Sequence, residues 1–124
     1  MRKRVLVVDD SEIVLEMASE ALTAKNYEVC TALSARDADR FIYGDKRPDA
    51  IIIDVMMPAL DGDRKTRMLK DDAATSEIPV LLLSSKPEKE LTQLVAESGA
   101  DGFIRKPFTF REMIEMIEAV TAKK

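Results

Sequence analysis

An α/β fold with a parallel sheet is predicted by three features of the sequence. Short apolar runs rich in Val, Ile and Leu alternate with longer stretches of helical periodicity. Five such pairs fill the chain. The strongest runs, residues 5–8, 50–53 and 80–83, contain no polar alternation. Continuous apolar runs of this length fit strands covered on both faces, the condition of a parallel sheet. Alternating strand and helix with short links then implies right-handed crossovers and helices on the sheet faces. The length of 124 residues suits one domain, residues 1–124, and can bury a core without staples. Hydrophobic residues at 46% beside 34% charged residues fit a globular chain and exclude a disordered one.

The elements follow in order. Val5-Leu6-Val7-Val8 is the first strand, and Ser11 can N-cap a helix over 12–25. Residues 28–32, with Val29 and Cys30, form a weaker strand, and Ser34 can cap a helix over 35–43 that stops at Gly44. Residues 50–53 are the third strand, followed by a helix over 63–70. Residues 80–83 are the fourth strand. Pro87 suits the first turn of a helix that runs to Ser98, before Gly99. Gly102-Phe103-Ile104 is the short fifth strand. Thr109 caps the last helix, with Glu112 at capping-box spacing and Met113, Ile114, Ile117 and Val120 on one face.

Composition removes several function classes. The absence of histidine excludes a phosphohistidine carrier, a histidine general base and most zinc sites. One cysteine excludes an internal disulfide framework, and Cys30 reads as inert core. A net charge of −4 argues against direct nucleic-acid binding. No apolar stretch approaches a membrane span. The basic Arg2-Lys3-Arg4 start precedes only a four-residue apolar run, residues 5–8, too short for a signal peptide, so the chain is expected to be cytoplasmic.

In open α/β sheets, ligands bind beyond the carboxyl ends of the strands. Asp9-Asp10 follows the first strand, Asp54 ends the third, Ser84-Ser85 ends the fourth, and Lys106 follows the fifth. One acidic residue after a strand reads as a helix cap or solvated loop; three with a lysine opposite point to a site. Clustered carboxylates raise one another's pKa, and a divalent cation relieves the repulsion. An all-oxygen set suits Mg²⁺. Mg²⁺ and Lys106 together cancel the formal charge of the three aspartates. A carboxylate is also a covalent nucleophile toward phosphoryl groups, and metal, ammonium and hydroxyl groups stabilise the equatorial oxygens.

Four motifs stand in order: Val-Leu-Val-Val-Asp-Asp, Ile-Asp-Val-Met-Met-Pro-Ala-Leu-Asp-Gly, Leu-Leu-Leu-Ser-Ser and Lys-Pro-Phe. Over its whole length the chain resembles a response-regulator receiver domain of the single-domain chemotaxis type. The resemblance implies a flavodoxin-like, doubly wound sheet with strand order 2-1-3-4-5. It implies a phosphoryl group passed from a histidine kinase or histidine phosphotransfer protein to Asp54, with Mg²⁺ held by Asp9, Asp10, Asp54 and the backbone carbonyl of Met56. Ser84 and Lys106 take the switch and lysine roles, the Lys106–Pro107 bond is expected to be cis, and Phe103 falls at the switch aromatic. Being Phe it lacks a hydroxyl, and it reads either as switch or as core.

The resemblance further implies a changed surface on phosphorylation, carrying Glu90, Gln93, Glu97, Phe103 and the helix over 111–120, and a monomer or a phosphorylation-dependent dimer. The first helix has an apolar arc wider than a buried stripe, which leaves Val14 and Met17, with Pro107 and Phe108, as expected kinase-docking residues. Glu12, Glu16 and Glu20 read as a solvated face, and Asp61-Gly62 as a turn. Met56 and Lys86, each two positions beyond a site residue, are expected to lengthen the phosphoryl lifetime, Met56 by denying the attacking water a positioned partner and Lys86 by pairing with the phosphoryl oxygens; the alternative is that both face solvent.

Rival readings fail on particular residues. A haloacid-dehalogenase-type phosphatase needs a second aspartate two residues after the nucleophile, where this chain has Met56. A flavin carrier needs a Ser/Thr/Gly phosphate loop where Asp9-Asp10 stands, and a dinucleotide fold needs its glycine fingerprint. A receiver that acts only as a binding module, without phosphorylation, and a receiver cut from a longer regulator remain as alternatives.

Overall fold

The computed structural model describes residues 2–122. Five strands and five helices alternate: β1 (Arg4–Val8), α1 (Glu12–Ala24), β2 (Glu28–Ala32), α2 (Ala35–Ile42), β3 (Ala50–Asp54), α3 (Gly62–Asp71), β4 (Val80–Ser84), α4 (Glu88–Ser98), β5 (Gly102–Arg105) and α5 (Phe110–Thr121). All strand pairs are parallel, in the order β2-β1-β3-β4-β5. Every expected element is present, and most bounds differ from the expected ones by one residue. Pro87 is the N-cap of α4 rather than a residue of its first turn.

The unbroken apolar runs split by strand alternation into two cores. Val5, Val7, Ile52, Leu81 and Leu83 face α1 and α5, where Leu15, Leu22, Met113 and Ile117 meet them. Leu6, Val8, Ile51, Ile53 and Leu82 face α2, α3 and α4, where Ala38, Leu69 and Leu91 meet them. Helix ends are closed by local chemistry. Ser34 Oγ accepts from Asp37 N at 3.0 Å, and Thr109 and Glu112 form the reciprocal capping box. Gly99, at φ 82°, ends α4 in the left-handed conformation that glycine adopts without penalty. No helix among the described residues is long and apolar enough to cross a membrane.

The two ends of the sheet differ. The amino ends are tied by cations. Arg4 donates to Glu28 at 2.6 Å and to the Lys46 carbonyl at 2.9 Å, while Lys70 donates to the Ile78 carbonyl at 2.8 Å and to Asp101 at 3.0 Å. The carboxyl ends hold the expected site.

Candidate functional site

Each element delivers its group by ending. β1 ends at Val8, and Asp9 N donates to the Ala32 carbonyl, so the carboxyl group turns into the sheet edge and is fully buried. Its Oδ1 accepts from Ser11 N at 2.9 Å, which joins the site to the N-cap of α1. Asp54, the last residue of β3, is 5% exposed, and Asp10 beside it is exposed. One carboxylate oxygen from each of Asp9, Asp10 and Asp54 lies within 4.8 Å of the others. Lys106 Nζ stands 2.9 Å from Asp9 Oδ2 and 3.5 Å from Asp54 Oδ1. Lys106 N donates to the Ser84 carbonyl at 2.8 Å, and the Lys106–Pro107 bond is cis, as the resemblance implies. Ser84 is 2% exposed, and its Oγ accepts from Lys86 N at 3.0 Å, which leaves the hydroxyl hydrogen available for donation.

The electrostatics follow from this crowding. Burial, then the Asp9 charge, pushes the Asp54 carboxyl up to about 6 against the downward pull of Lys106 and the Met56 amide. Burial pulls the Lys106 ammonium down, but its contact with Asp9 and the charge of Asp54 outweigh that, and its pKa is raised. Asp9 Oδ2 is buried with no hydrogen-bond donor aligned on it among the described residues, although the Lys106 ammonium is near. A buried carboxylate oxygen left in this state is costly. Three carboxylates with one ammonium between two of them form an all-oxygen set that fits a hard divalent cation with several waters.

The β3–α3 loop closes tightly over the site. Gly62 N donates to the Val55 carbonyl at 2.9 Å, and a Cβ at Gly62 would lie 2.0 Å from the Asp54 carbonyl oxygen. The turn expected at Asp61-Gly62 is therefore also a close backbone approach that only glycine permits. Within the loop, Leu60 N donates to the Pro58 carbonyl at 2.8 Å, and Ala59 between them has φ 71°. This is a γ-turn of the strained, positive-φ hand. It leaves the Met56 side chain 63% exposed at the mouth of a cleft of about 410 Å³ that Lys86, Asp61 and Glu90 also line.

The remaining expected residues separate. Val14 is half-buried against the core and Met17 is 39% exposed. Phe108 is not an exposed docking residue: at 8% exposure it belongs to the core shared with α1 and α5, because a ring of that area is worth more inside than on the surface. Ile13, 70% exposed on α1, is the large apolar residue at that end which the apolar arc contained but did not single out. Phe103 is half-buried and packs against the α4-side core. Cys30 lies half-buried on the edge strand β2, with its thiol pKa raised by burial. Lys65, an unsuspected residue, is buried on α3 and pairs with Asp39 of α2 at 2.5 Å. Within a wholly polar stretch of sequence nothing marks it.

Comparison with known proteins follows the same geometry. The family model described as "Response regulator receiver domain" matches residues 5–118. The chain is 37% identical over 118 residues to the phosphate regulon transcriptional regulatory protein PhoB of Pseudomonas aeruginosa, covering 95% of this chain and 51% of that protein. It is 38% identical over 124 residues to the response regulator PleD of Caulobacter vibrioides, covering 100% of this chain and 27% of that protein. The chain thus spans about half, or less, of the length of these curated relatives. Among solved structures it is similar to the chemotaxis protein CheY4 of Vibrio cholerae, with TM-score 0.89, 31% identity, and 97% and 99% of the two chains covered.

Proposed function

We propose a function from one premise: this chain belongs to the response regulator receiver domain family, the phosphoacceptor module of two-component signalling. On that premise Asp54 takes a phosphoryl group from the phosphohistidine of a sensor histidine kinase or histidine phosphotransfer protein. The observation that carries this reading is the convergence of Asp9, Asp10, Asp54, Ser84 and Lys106 on one sheet edge, where the Asp9 and Asp54 carboxylates share the single Lys106 ammonium.

The residues divide the work. A carboxyl group near 6 is mostly ionised at neutral pH, so Asp54 presents a nucleophilic oxygen. That oxygen forms the new O–P bond as the P–N bond to the donor histidine breaks, and the leaving imidazole keeps the electron pair. Lys106 sits where it can follow charge from the carboxylate onto the phosphoryl oxygens, and the free hydroxyl hydrogen of Ser84 can donate to another of them. Asp9, Asp10, Asp54 and the Met56 carbonyl are the groups that would hold Mg²⁺, which when bound supplies charge neutralisation at the phosphoryl oxygens.

The phosphoryl group biases a two-state equilibrium through its contact with Ser84, and the surface of α4, β5 and α5 is the readout. Val14, Met17 and Pro107 form the kinase-docking edge. The domain works in the cytoplasm and turns over no substrate other than its own aspartyl phosphate. Met56, which has no strong donor or acceptor, and Lys86, which can pair with phosphoryl oxygens, slow hydrolysis about tenfold, roughly 1.4 kcal/mol of barrier. Faster phosphate loss from Met56→Asn or Lys86→Glu is the expected result; no change in either removes that role.

The deciding experiment is mass spectrometry after incubation with acetyl phosphate and Mg²⁺. The parent should gain one phosphoryl mass and Asp54→Asn none. Labelling retained in Asp54→Asn refutes the assignment. A parent that never labels would be a binding module that acts without phosphorylation.

A further inference from the structure

Two methionines stand side by side just beyond β3, and the loop treats them oppositely. Met57 is 6% exposed and belongs to the α4-side core, while Met56 is 63% exposed. The loop holds Met56 outward: Gly62 N donates to the Val55 carbonyl before it, and the γ-turn at Ala59 fixes the chain after it. The Met56 amide hydrogen-bonds the Asp54 carboxyl, so the residue is tied to that side chain. Its thioether is the sulfur that lines the cleft of about 410 Å³, where Lys86 is the cation.

The other described sulfurs do not line this cleft. Met113 is fully buried, and Met116 is half-buried on α5. Cys30 is half-buried on β2, where burial raises its pKa and so withholds the reactive thiolate. Met17 on α1 and Met68 on α3 are exposed but lie on other faces. A thioether needs access and no deprotonation to be oxidised. In a core the resulting sulfoxide disrupts packing, because an apolar side chain becomes polar. Met56 has little packing to lose. There the change is felt as hydrogen-bonding capacity, since a thioether is a weak acceptor and a sulfoxide oxygen a strong one.

We propose that Met56 is a site of reversible oxidation by hydroperoxides, and that its sulfoxide shortens the life of a phosphoryl group on Asp54. A sulfur lone pair attacks one peroxide oxygen, and the S–O bond forms as the O–O bond breaks. The proton on the transferred oxygen leaves with the departing hydroxide as water; sulfur loses two electrons and the peroxide gains them. The new oxygen accepts a hydrogen bond from the attacking water, which the thioether does only weakly. It also competes with the phosphoryl oxygens for the Lys86 ammonium. Both effects favour hydrolysis. A methionine sulfoxide reductase returns the thioether. The inference rests on the reading of Asp54 as phosphoacceptor and of Met56 and Lys86 as groups that slow its hydrolysis.

The test begins with hydrogen peroxide added to the purified protein without phosphodonor, each methionine being followed by peptide mass spectrometry. Met56 should gain one oxygen at least tenfold faster than Met57 and Met113; equal rates at Met56 and Met57 overturn the proposal. The oxidised protein is then labelled with acetyl phosphate and Mg²⁺, and the loss of phosphate is timed. Loss should be at least threefold faster than from untreated protein, and treatment with a methionine sulfoxide reductase should restore the slow rate. Met68→Leu should keep this response and Met56→Leu should abolish it. An unchanged lifetime after oxidation of Met56, or a response retained in Met56→Leu, overturns the proposal. Untreated protein that never labels at Asp54 removes the proposed function and this inference with it. Failure of Met56 to oxidise selectively in a protein that does label removes this inference alone.

Discussion

The two ends of the sheet are built on opposite principles. At the amino ends every described contact of the clamping cations satisfies an opposite charge or a carbonyl: Arg4 holds Glu28 and the Lys46 carbonyl, and Lys70 holds two carbonyls and Asp101. Asp101 in turn accepts from Val80 N at 2.8 Å, so the clamp reaches the start of β4. At the carboxyl ends carboxylates crowd one another, a buried oxygen lacks an aligned donor, and an alanine sits in a left-handed γ-turn. The same strands carry both ends. The difference teaches that stability is concentrated at one end of this fold and reactivity at the other, where unmet electrostatic demand is what a metal and a phosphoryl group can answer.

The largest effect is expected at Gly62, where the loop presses on the end of β3. Gly62→Ala puts a Cβ 2.0 Å from the Asp54 carbonyl oxygen, so the backbone must move, and urea unfolding should show a loss of about 3 kcal/mol or more. A loss below about 1 kcal/mol would mean the loop yields freely.

Next is the sign reversal at Asp54. Its folded carboxyl binds a proton more tightly than the unfolded one, so the stability this provides is present below about 3.8 and is lost as the pH rises through about 6. In metal-free buffer Asp54→Asn should therefore be more stable than the parent at pH 7, by up to about 3 kcal/mol, with the gap closing toward pH 4. A gap that does not vary with pH would detach the effect from ionisation.

The amino end should behave in the opposite way. Lys70→Met keeps the aliphatic stem but removes the charged donor to Ser76, Ile78 and Asp101, and should cost about 2 kcal/mol with no pH-dependent gain. Equal stability of parent and variant in chemical unfolding would show that the clamp is replaceable by water. The smallest effect is at Ala59, whose φ of 71° suits glycine. Ala59→Gly should raise stability by about 1 kcal/mol, read as a higher urea midpoint, and a destabilised variant would remove the strain from this account.

What the sequence made legible, and what it did not, follows the same physics. The strands were legible because burial on both faces writes an unbroken apolar run, as in Ile51-Ile52-Ile53. Helix starts were legible because Ser34 and Thr109 satisfy amides that sit close in sequence. Asp9, Asp54, Ser84 and Lys106 were legible because a parallel sheet gathers whatever follows its strands. Phe108 was misplaced because an aromatic beside a site reads as surface or as core until the direction of the chain is known. Lys65, Arg4 and Lys70 were invisible as clamps because their partners lie 6 to 42 positions away in sequence. Ala59 carried no signal because a left-handed turn is announced by Gly or Asn, and this chain uses neither there.

The edges of the sheet carry a consequence for behaviour at high concentration. β2 and β5, the two outermost strands, are five and four residues long, and each bears a charge at one end, Glu28 and Arg105. An exposed strand edge is a template on which another chain can add a strand, and the hazard grows with length, flatness and lack of charge. These edges are short and charged, and the more apolar strands β1, β3 and β4 are enclosed between them. The segments of this protein with the greatest tendency to aggregate are thus the ones that a folded neighbour cannot reach.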